Sequence, residues 1–420
     1  MYGDAKYCVS TIMEQQELIP HLFRTEYRKI VSVLCRHFGL DQMETAEDLT
    51  SDTFLTAAQT WGIKGLPPNP TAWLYNVAKN KTKNYLHHNA IFEGKISPEI
   101  QQTTTGTYEH ELDLSPQNIN DSQLQMMFAI CHPAISTEAQ VGLSLRILCG
   151  FGIEEIADAF LSNKETINKR LFRAKEKLRE QKISIELPGE LEINERLAPV
   201  LTTIYLLFNE GYYSVNQNKT LRKDLCLEAM RLCTMLVENK ATNKPPVNAL
   251  LSLMCFHASR FEARINKNGE HVLYDEQDTS LWDTDLISKG AYFLNCAASG
   301  TEISKYHLEA TIAYWRTQKT DAKEKWEAVL GLYNRLLQTD YSPIAALNRV
   351  YVLSKVNGKE QAIIEAEKLS LTGNQFYHTL LGELYLDINN ETARLHLQRA
   401  HTLAKTDTDK LTIQKKIDKL

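Results

Sequence analysis

No stretch of the 420 residues approaches the ~20 consecutive apolar positions that a membrane-spanning helix needs, so no membrane partner is expected. Met1–Pro20 lacks the basic-then-apolar order of a secretory leader, and the expected compartment is the cytoplasm. Cysteine pairs at CxxC spacing are missing. The eight cysteines, Cys8, Cys35, Cys131, Cys149, Cys226, Cys233, Cys255 and Cys296, stand scattered, which in a cytosolic chain reads as free, buried thiols rather than disulfides or zinc ligands. Cys131 and His132 are adjacent, but no second pair stands at metal-ligand spacing, so no metal and no other cofactor is expected. Dominance of one charge is missing too. Lys plus Arg number 47 against 52 Asp plus Glu, a net charge of −5, which excludes a uniformly basic nucleic-acid coat. Any DNA contact must come from local basic stripes on a near-neutral body. Finally, the Val/Ile alternation that marks strands is scarce, and almost every apolar pattern has helical period. The expected fold class is all-α.

With 43% hydrophobic and 24% charged residues the composition is that of an ordinary folded chain, and the length suits two or three domains. The patterning divides it at 1–88, a polar connector at 89–120 centred on a QQTTTGT run and read as a flexible linker, 121–185, and a long remainder at 186–420 that begins near the pattern break at Leu187-Pro188-Gly189.

The 121–185 segment carries the sharpest signal. Ile153, Ile156, Ala157 and Phe160 make a short amphipathic helix. Ser162 followed by Glu165 is a capping box that starts another. In the second helix Ile167, Leu171, Ala174 and Leu178, spaced 4, 3 and 4 apart, make a buried stripe. Lys164, Lys169, Arg170, Arg173, Lys175, Lys177, Arg179 and Lys182 crowd the remaining faces. Two short helices with a tight turn, the second basic, form the layout of a helix-turn-helix, whose first residues reach base edges while long cations bind phosphate. A charged face solvated in a bundle is the bland alternative; the cap, the apolar core and the cation excess together favour DNA.

In the first segment Leu22, Tyr27, Ile30, Val31, Leu34 and Phe38 pattern one helix, and Ala46, Leu49, Phe54, Ala57, Ala58 and Trp61 a second with Glu47, Asp48 and Asp52 on its outer face. After the loop Gly62–Pro68, Asn69 caps a third helix with Pro70 at its first position. Trp73, Leu74, Val77, Ala78 and Tyr85 pack it, and Asn76, Lys79, Asn80, Lys83, Asn84 and His87 lie elsewhere on it. Lys and Asn together can hold phosphate and hydrogen-bond an exposed base. Trp61 and Trp73 read as core, and the charged faces could each be merely solvated; the order of parts is what argues for function.

That order resembles sigma-70 family transcription initiation factors. IEEIADAFLSNKETINKRLFRAKEKLR resembles their region 4, AEDLTSDTFLTA their region 2.2 and NPTAWLYNVAKNKTKNYL their region 2.4. DSQLQMMFAICHPAIS (Asp121–Ser136), LLFNEGYYS (Leu206–Ser214) and NGEHVLYDEQDTSLW (Asn268–Trp282) resemble an extracytoplasmic-function subgroup with a tetratricopeptide-like extension. The turn position that usually holds Gly in a helix-turn-helix is Leu161 here, which departs from the pattern.

The resemblance implies no catalysis and a set of binding roles. Glu47, Asp48 and Asp52 would bind core RNA polymerase at its β′ clamp, with further contact to β. Lys64, Lys79, Asn80, Lys83 and Asn84 would engage the −10 element, the loop before that helix helping to hold a base flipped from the opening duplex. Lys164, Glu165, Asn168, Lys169, Arg170, Arg173 and Lys177 would engage the −35 element. Cys131 and His132 are expected as packing residues, and the acidic 268–282 stretch as an ordered loop without catalytic residues.

In the remainder, Leu347, Tyr351, Ile363, Ala366 and Leu369 recur 34 residues later as Leu381, Tyr385, Leu397, Ala400 and Leu403. That is the tetratricopeptide period, and stacked helical repeats present concave surfaces for peptides or proteins. Ala310, Ala313 and Tyr314 with Trp326, Val329, Leu330 and Tyr333 suggest another, degenerate repeat. A regulatory role with a protein partner is the expectation for this extension. The competing readings are a conventional helix-turn-helix regulator with a helical effector domain and a scaffold with no DNA role.

Overall fold

The computed structural model describes residues 4–92, 112–160, 162–212, 223–264, 272, 274–404 and 406–420. Among the described residues every regular element is helical and no strand occurs, so the all-α expectation holds. No helix there is long and apolar enough to cross a membrane. The chain divides into two compact units, Met1–Thr203 and Ile204–Leu420.

In the first unit α1 (Asp4–Phe38), α2 (Met43–Lys64) and α3 (Pro70–Phe92) pack together. Tyr27, Ile30, Val31 and Leu34 of α1 and Ala46, Phe54, Ala57 and Trp61 of α2 are buried, as their helical spacing demands. Ala58, expected in that core, is exposed because it lies just outside the arc buried by its helix. Asn69 caps α3, its side chain accepting from the Ala72 amide at 3.0 Å, and Pro70 opens the helix. Trp61 and Trp73 meet edge to face at 5.2 Å, within a range typical of aromatic core pairs.

Next come α4 (Pro116–Ile130), α5 (Thr137–Leu143), one π-helical turn at Ser144–Leu148, α6 (Ile153–Ala159) and α7 (Lys164–Glu180). The stretch 89–120 is shorter as a connector than the sequence suggests. Helix α3 runs into it as far as Phe92, Leu112 and Leu114 are buried, and α4 already starts at Pro116 with Ser115 as its cap. The QQTTTGT run lies outside the described residues. The two modules expected on either side of this connector belong to one compact unit. Helix α1 packs on α4, where Arg36 donates to Asn118 Oδ1 at 2.8 Å. Arg179 of α7 donates to the Asp41 carbonyl at 3.2 Å.

The second unit holds the end of α8 (Glu190–Tyr212), then α9 (Lys223–Glu238), α10 (Pro245–Ala258), α11 (Thr284–Ala297), α12 (Lys305–Thr317) and α13 (Lys323–Thr339). Helix α8 spans the division between the two compact units, at 203/204, beyond the pattern break at 185/186. Leu206–Tyr212 of the LLFNEGYYS stretch are helical; its last two residues, and 268–271 and 273 of the acidic stretch, lie outside the described residues. The rest of that stretch forms short 3-10 turns at Tyr274–Glu276 and Thr279–Leu281.

The unit ends with α14 (Pro343–Asn357), α15 (Lys359–Lys368), α16 (Gln375–Tyr385), α17 (Asn390–Leu403) and α18 (Asp407–Ile417), each packed on the next. The 34-residue period maps onto this order. Leu347 of α14 and Leu381 of α16 are buried, and so are Ile363 and Ala366 of α15 and Leu397 and Ala400 of α17. Gly382 allows the close approach within the second pair: a Cβ there would stand 2.7 Å from Leu397 Cγ.

Candidate nucleic-acid and partner surfaces

Helix α7 is built as the sequence suggests, with one change at its start. Ile167, Leu171, Ala174 and Leu178 are buried. The cap, however, is Asn163, whose side chain accepts from the Thr166 amide at 2.8 Å, rather than Ser162. Ser162 is committed elsewhere: its amide donates to the Ala157 carbonyl at 2.9 Å and closes the end of α6. Leu161, the departure from the usual turn residue, lies outside the described residues.

Of the expected −35 residues, Lys164, Glu165, Asn168, Lys169, Arg173 and Lys177 are exposed. Arg170 is half-buried, with its guanidinium 5.4 Å from the centroid of the Phe160 ring, so part of its cationic surface is turned back to α6. Lys164 also pairs with Glu154 of α6, both exposed, a contact of little energetic consequence in water. Helix α7 thus leaves a cationic face with Lys164, Lys169, Arg173 and Lys177 exposed.

The expected −10 residues are also accessible. Lys64 stands at the exposed end of α2, and Asn80, Lys83 and Asn84 are exposed on α3 with Lys79 partly so. Buried Leu74, Ala78 and Thr82 form the opposite stripe of α3. Lys81 approaches Asp52 of α2 at 3.9 Å, a long and exposed pairing.

The acidic face of α2 is not the uniform surface expected. Asp48 and Asp52, four residues apart, are exposed. Glu47 is buried at 8% exposure. Its Oε1 accepts from Arg146 Nε at 3.0 Å, and its Oε2 from Lys175 Nζ at 2.5 Å. The three side chains are 11%, 23% and 14% exposed. Arg146 also donates to the Phe151 carbonyl at 3.2 Å, which fixes its orientation, and its guanidinium lies 5.8 Å from the Tyr27 ring centroid. Burial, with Glu47 adding to it, pushes the Tyr27 phenol up to about 12. A shallow cleft beside the clasp is lined by Glu44, Asn168, Phe172 and Leu171.

The facing of Glu47 was readable. Met43, Glu47, Thr50 and Phe54 follow one another at 4, 3 and 4 residues, and all are buried on one stripe of α2. Its partners were not. Arg146 and Lys175 stand 99 and 128 residues further on, and no local spacing links them to α2.

Cys131 and His132 sit at the end of α4 as packing residues. The Cys131 thiol lies 3.5 Å from Thr203 Oγ1, and burial pushes its pKa up to about 11. The Ala134 amide donates to His132 Nδ1 at 3.1 Å. Cys35, Cys131, Cys149, Cys226, Cys233 and Cys255 are buried, and neither they nor Cys296 is in a disulfide.

In the second unit Tyr212, at the end of α8, is fully buried. Its hydroxyl lies 3.2 Å from His257 Nδ1, and Arg264 sits 3.8 Å from its ring centroid. Burial works against a phenolate there, but Arg264 and Arg260 outweigh it and lower the Tyr212 pKa. Burial, helped by Arg260, Arg264 and Arg316, drives His257 well below the ordinary histidine value, so it is neutral.

Comparison with known proteins finds a family match over α1–α3. Residues 22–90 match the model of sigma-70 region 2, and residues 196–298 match a family of unknown function, DUF6596. An uncharacterized protein of Rhizobium meliloti is 31% identical over 397 residues, covering 93% of each chain. The ECF RNA polymerase sigma-E factor of Haemophilus influenzae is 29% identical over 153 residues, 35% of this chain and 78% of that one. The RNA polymerase sigma factor YlaC of Bacillus subtilis is 23% identical over 167 residues, 40% of this chain and 93% of that one. No solved structure matches the chain. Residues 22–90, folded as α1–α3, thus match a sigma-70 region 2, and sigma factors of other bacteria are distant relatives of the chain.

Proposed function

We propose that the chain is an alternative sigma factor of the extracytoplasmic-function type whose C-terminal helical repeats regulate it. The reading rests above all on one observation: residues 22–90, which match sigma-70 region 2, fold as α1–α3 with Asn80, Lys83 and Asn84 exposed on α3 and Asp48 and Asp52 exposed on α2. In this reading the α2 acids hold core RNA polymerase, α3 and the loop before it take the −10 element, and α7 takes the −35 element. The chain does no covalent chemistry.

The extension past α8 supplies repeated helical pairs, as tetratricopeptide-like arrays do, and the proposed partner there is a regulatory protein. The expected cytoplasmic location follows from the polymerase it serves.

Run-off transcription with purified core polymerase tests the reading. Full-length protein should give a discrete transcript from genomic fragments. Lys169→Ala with Arg173→Ala should weaken promoter binding and flatten its salt dependence, by about one unit of slope for each phosphate no longer neutralised. Absence of any transcript together with failure to co-purify with core polymerase overturns it. Removing residues 204–420 should change promoter output; identical output from the truncated chain in vitro and in cells would leave the extension without a regulatory role.

A further inference from the structure

Resting on that reading, we propose that the Glu47 clasp is an autoinhibitory contact, closing the acidic face of α2 against α7 until polymerase or promoter DNA takes one of its ions. Both carboxylate oxygens of Glu47 are occupied, one by Arg146 and one by Lys175. Asp48 and Asp52 on the same helix stay open. A basic partner surface that engages the α2 acids therefore reaches two of the three while the clasp is shut. The same holds for the nucleic acid. Lys169, Arg173 and Lys177 are exposed on α7, whereas Lys175, on the same helix, is turned inward and 14% exposed.

The clasp is suited to opening. Removing charges from water costs free energy that their mutual attraction only partly returns, so an ion group of this kind is held near balance. Its two sides compete with different ligands. A cationic surface on polymerase competes with Arg146 and Lys175 for Glu47. A DNA phosphate competes with Glu47 for Lys175. Both ligands favour the same open state, and by linkage each raises the affinity of the other by the same factor. The contact thereby makes promoter and polymerase binding cooperative in a chain that is closed when it has neither.

The test compares core-polymerase affinity of the full chain and of Arg146→Gln, a position with no proposed contact to polymerase or DNA. The variant leaves Glu47 in place and removes one of its two partners. It should bind core polymerase about tenfold more tightly, the equivalent of about 1.4 kcal/mol. Equal affinity overturns the clasp and leaves the sigma-factor reading standing; no binding by either protein overturns that reading and the clasp with it.

A second measurement needs no variant. Lysines of the native chain are acylated with an amine-directed reagent, with and without core polymerase and in the absence of DNA, and modified sites are quantified by mass spectrometry. Lys175 should gain reactivity several-fold on polymerase binding, while Lys169, exposed on the same helix, keeps its reactivity. An unchanged Lys175 in the polymerase complex overturns the proposal, whatever the fate of Arg146→Gln.

Discussion

The first unit and the terminal repeats solve the same packing problem by different means. Between α2 and α7, elements more than a hundred residues apart in sequence are joined through three charged side chains at the edge of a cleft. From α14 to α18 each helix packs on its sequence neighbours through Leu, Ala and Tyr, and one glycine sets the closest approach. Apolar contacts between neighbours stabilise a fold with little dependence on salt or partner. A charge clasp between distant segments is sensitive to both. The difference assigns stability to one region and switching to the other.

The comparison breaks most readily at Leu397, which is buried with Ala400 and Ile413 and lies over Gly382. Leu397→Ala should cost about 2–5 kcal/mol in urea denaturation followed by far-UV circular dichroism. Glu47→Ala should cost less, about 2 kcal/mol, as expected for hydrogen bonds to a charged group when its cations can turn outward to water. Its cost should shrink in high salt, whereas that of Leu397→Ala should not; equal salt response in both would erase the distinction. Gly382→Ala should cost about 1–3 kcal/mol, since a methyl group placed against Leu397 must push it aside. Asn163→Ala removes the α7 cap and should cost about 1 kcal/mol.

The smallest expected effect concerns pH. His257 titrates in the folded chain well below 6.5, so as pH falls through 6.5 the unfolded chain takes up a proton that the folded one refuses. This group therefore contributes stability above that value and loses it as pH falls. His257→Gln should reduce the loss of stability between about pH 7 and about pH 5.5, measured by thermal denaturation. An unchanged pH profile would mean that His257 accepts a proton in place.

Much of the site was legible because its signals are local. The α7 stripe, the Asn69 cap with Pro70 behind it and the exposed Asn80, Lys83 and Asn84 all follow from spacing within one helix. Short-range competition produced one displacement: Ser162 and Asn163 both suit a cap, and the Ser162 amide is taken by the end of α6. Ala58 borders the apolar stripe of α2 and faces water, as a small side chain at the edge of a stripe is free to do.

The sequence by itself determined that this protein is helical, that Asn69 and Pro70 open α3, which stripe α7 buries and that two helical pairs near its end repeat at 34 residues. Each of these depends on interactions a few residues apart, or on a fixed period that survives without knowledge of the fold. Only the tertiary structure decided that the modules on either side of the polar connector form one unit, and that the cations meeting Glu47 on its buried stripe are Arg146 and Lys175. A carboxylate is solvated or paired according to which cation the folded chain brings within reach, and that distance is set by packing rather than by any spacing along the chain.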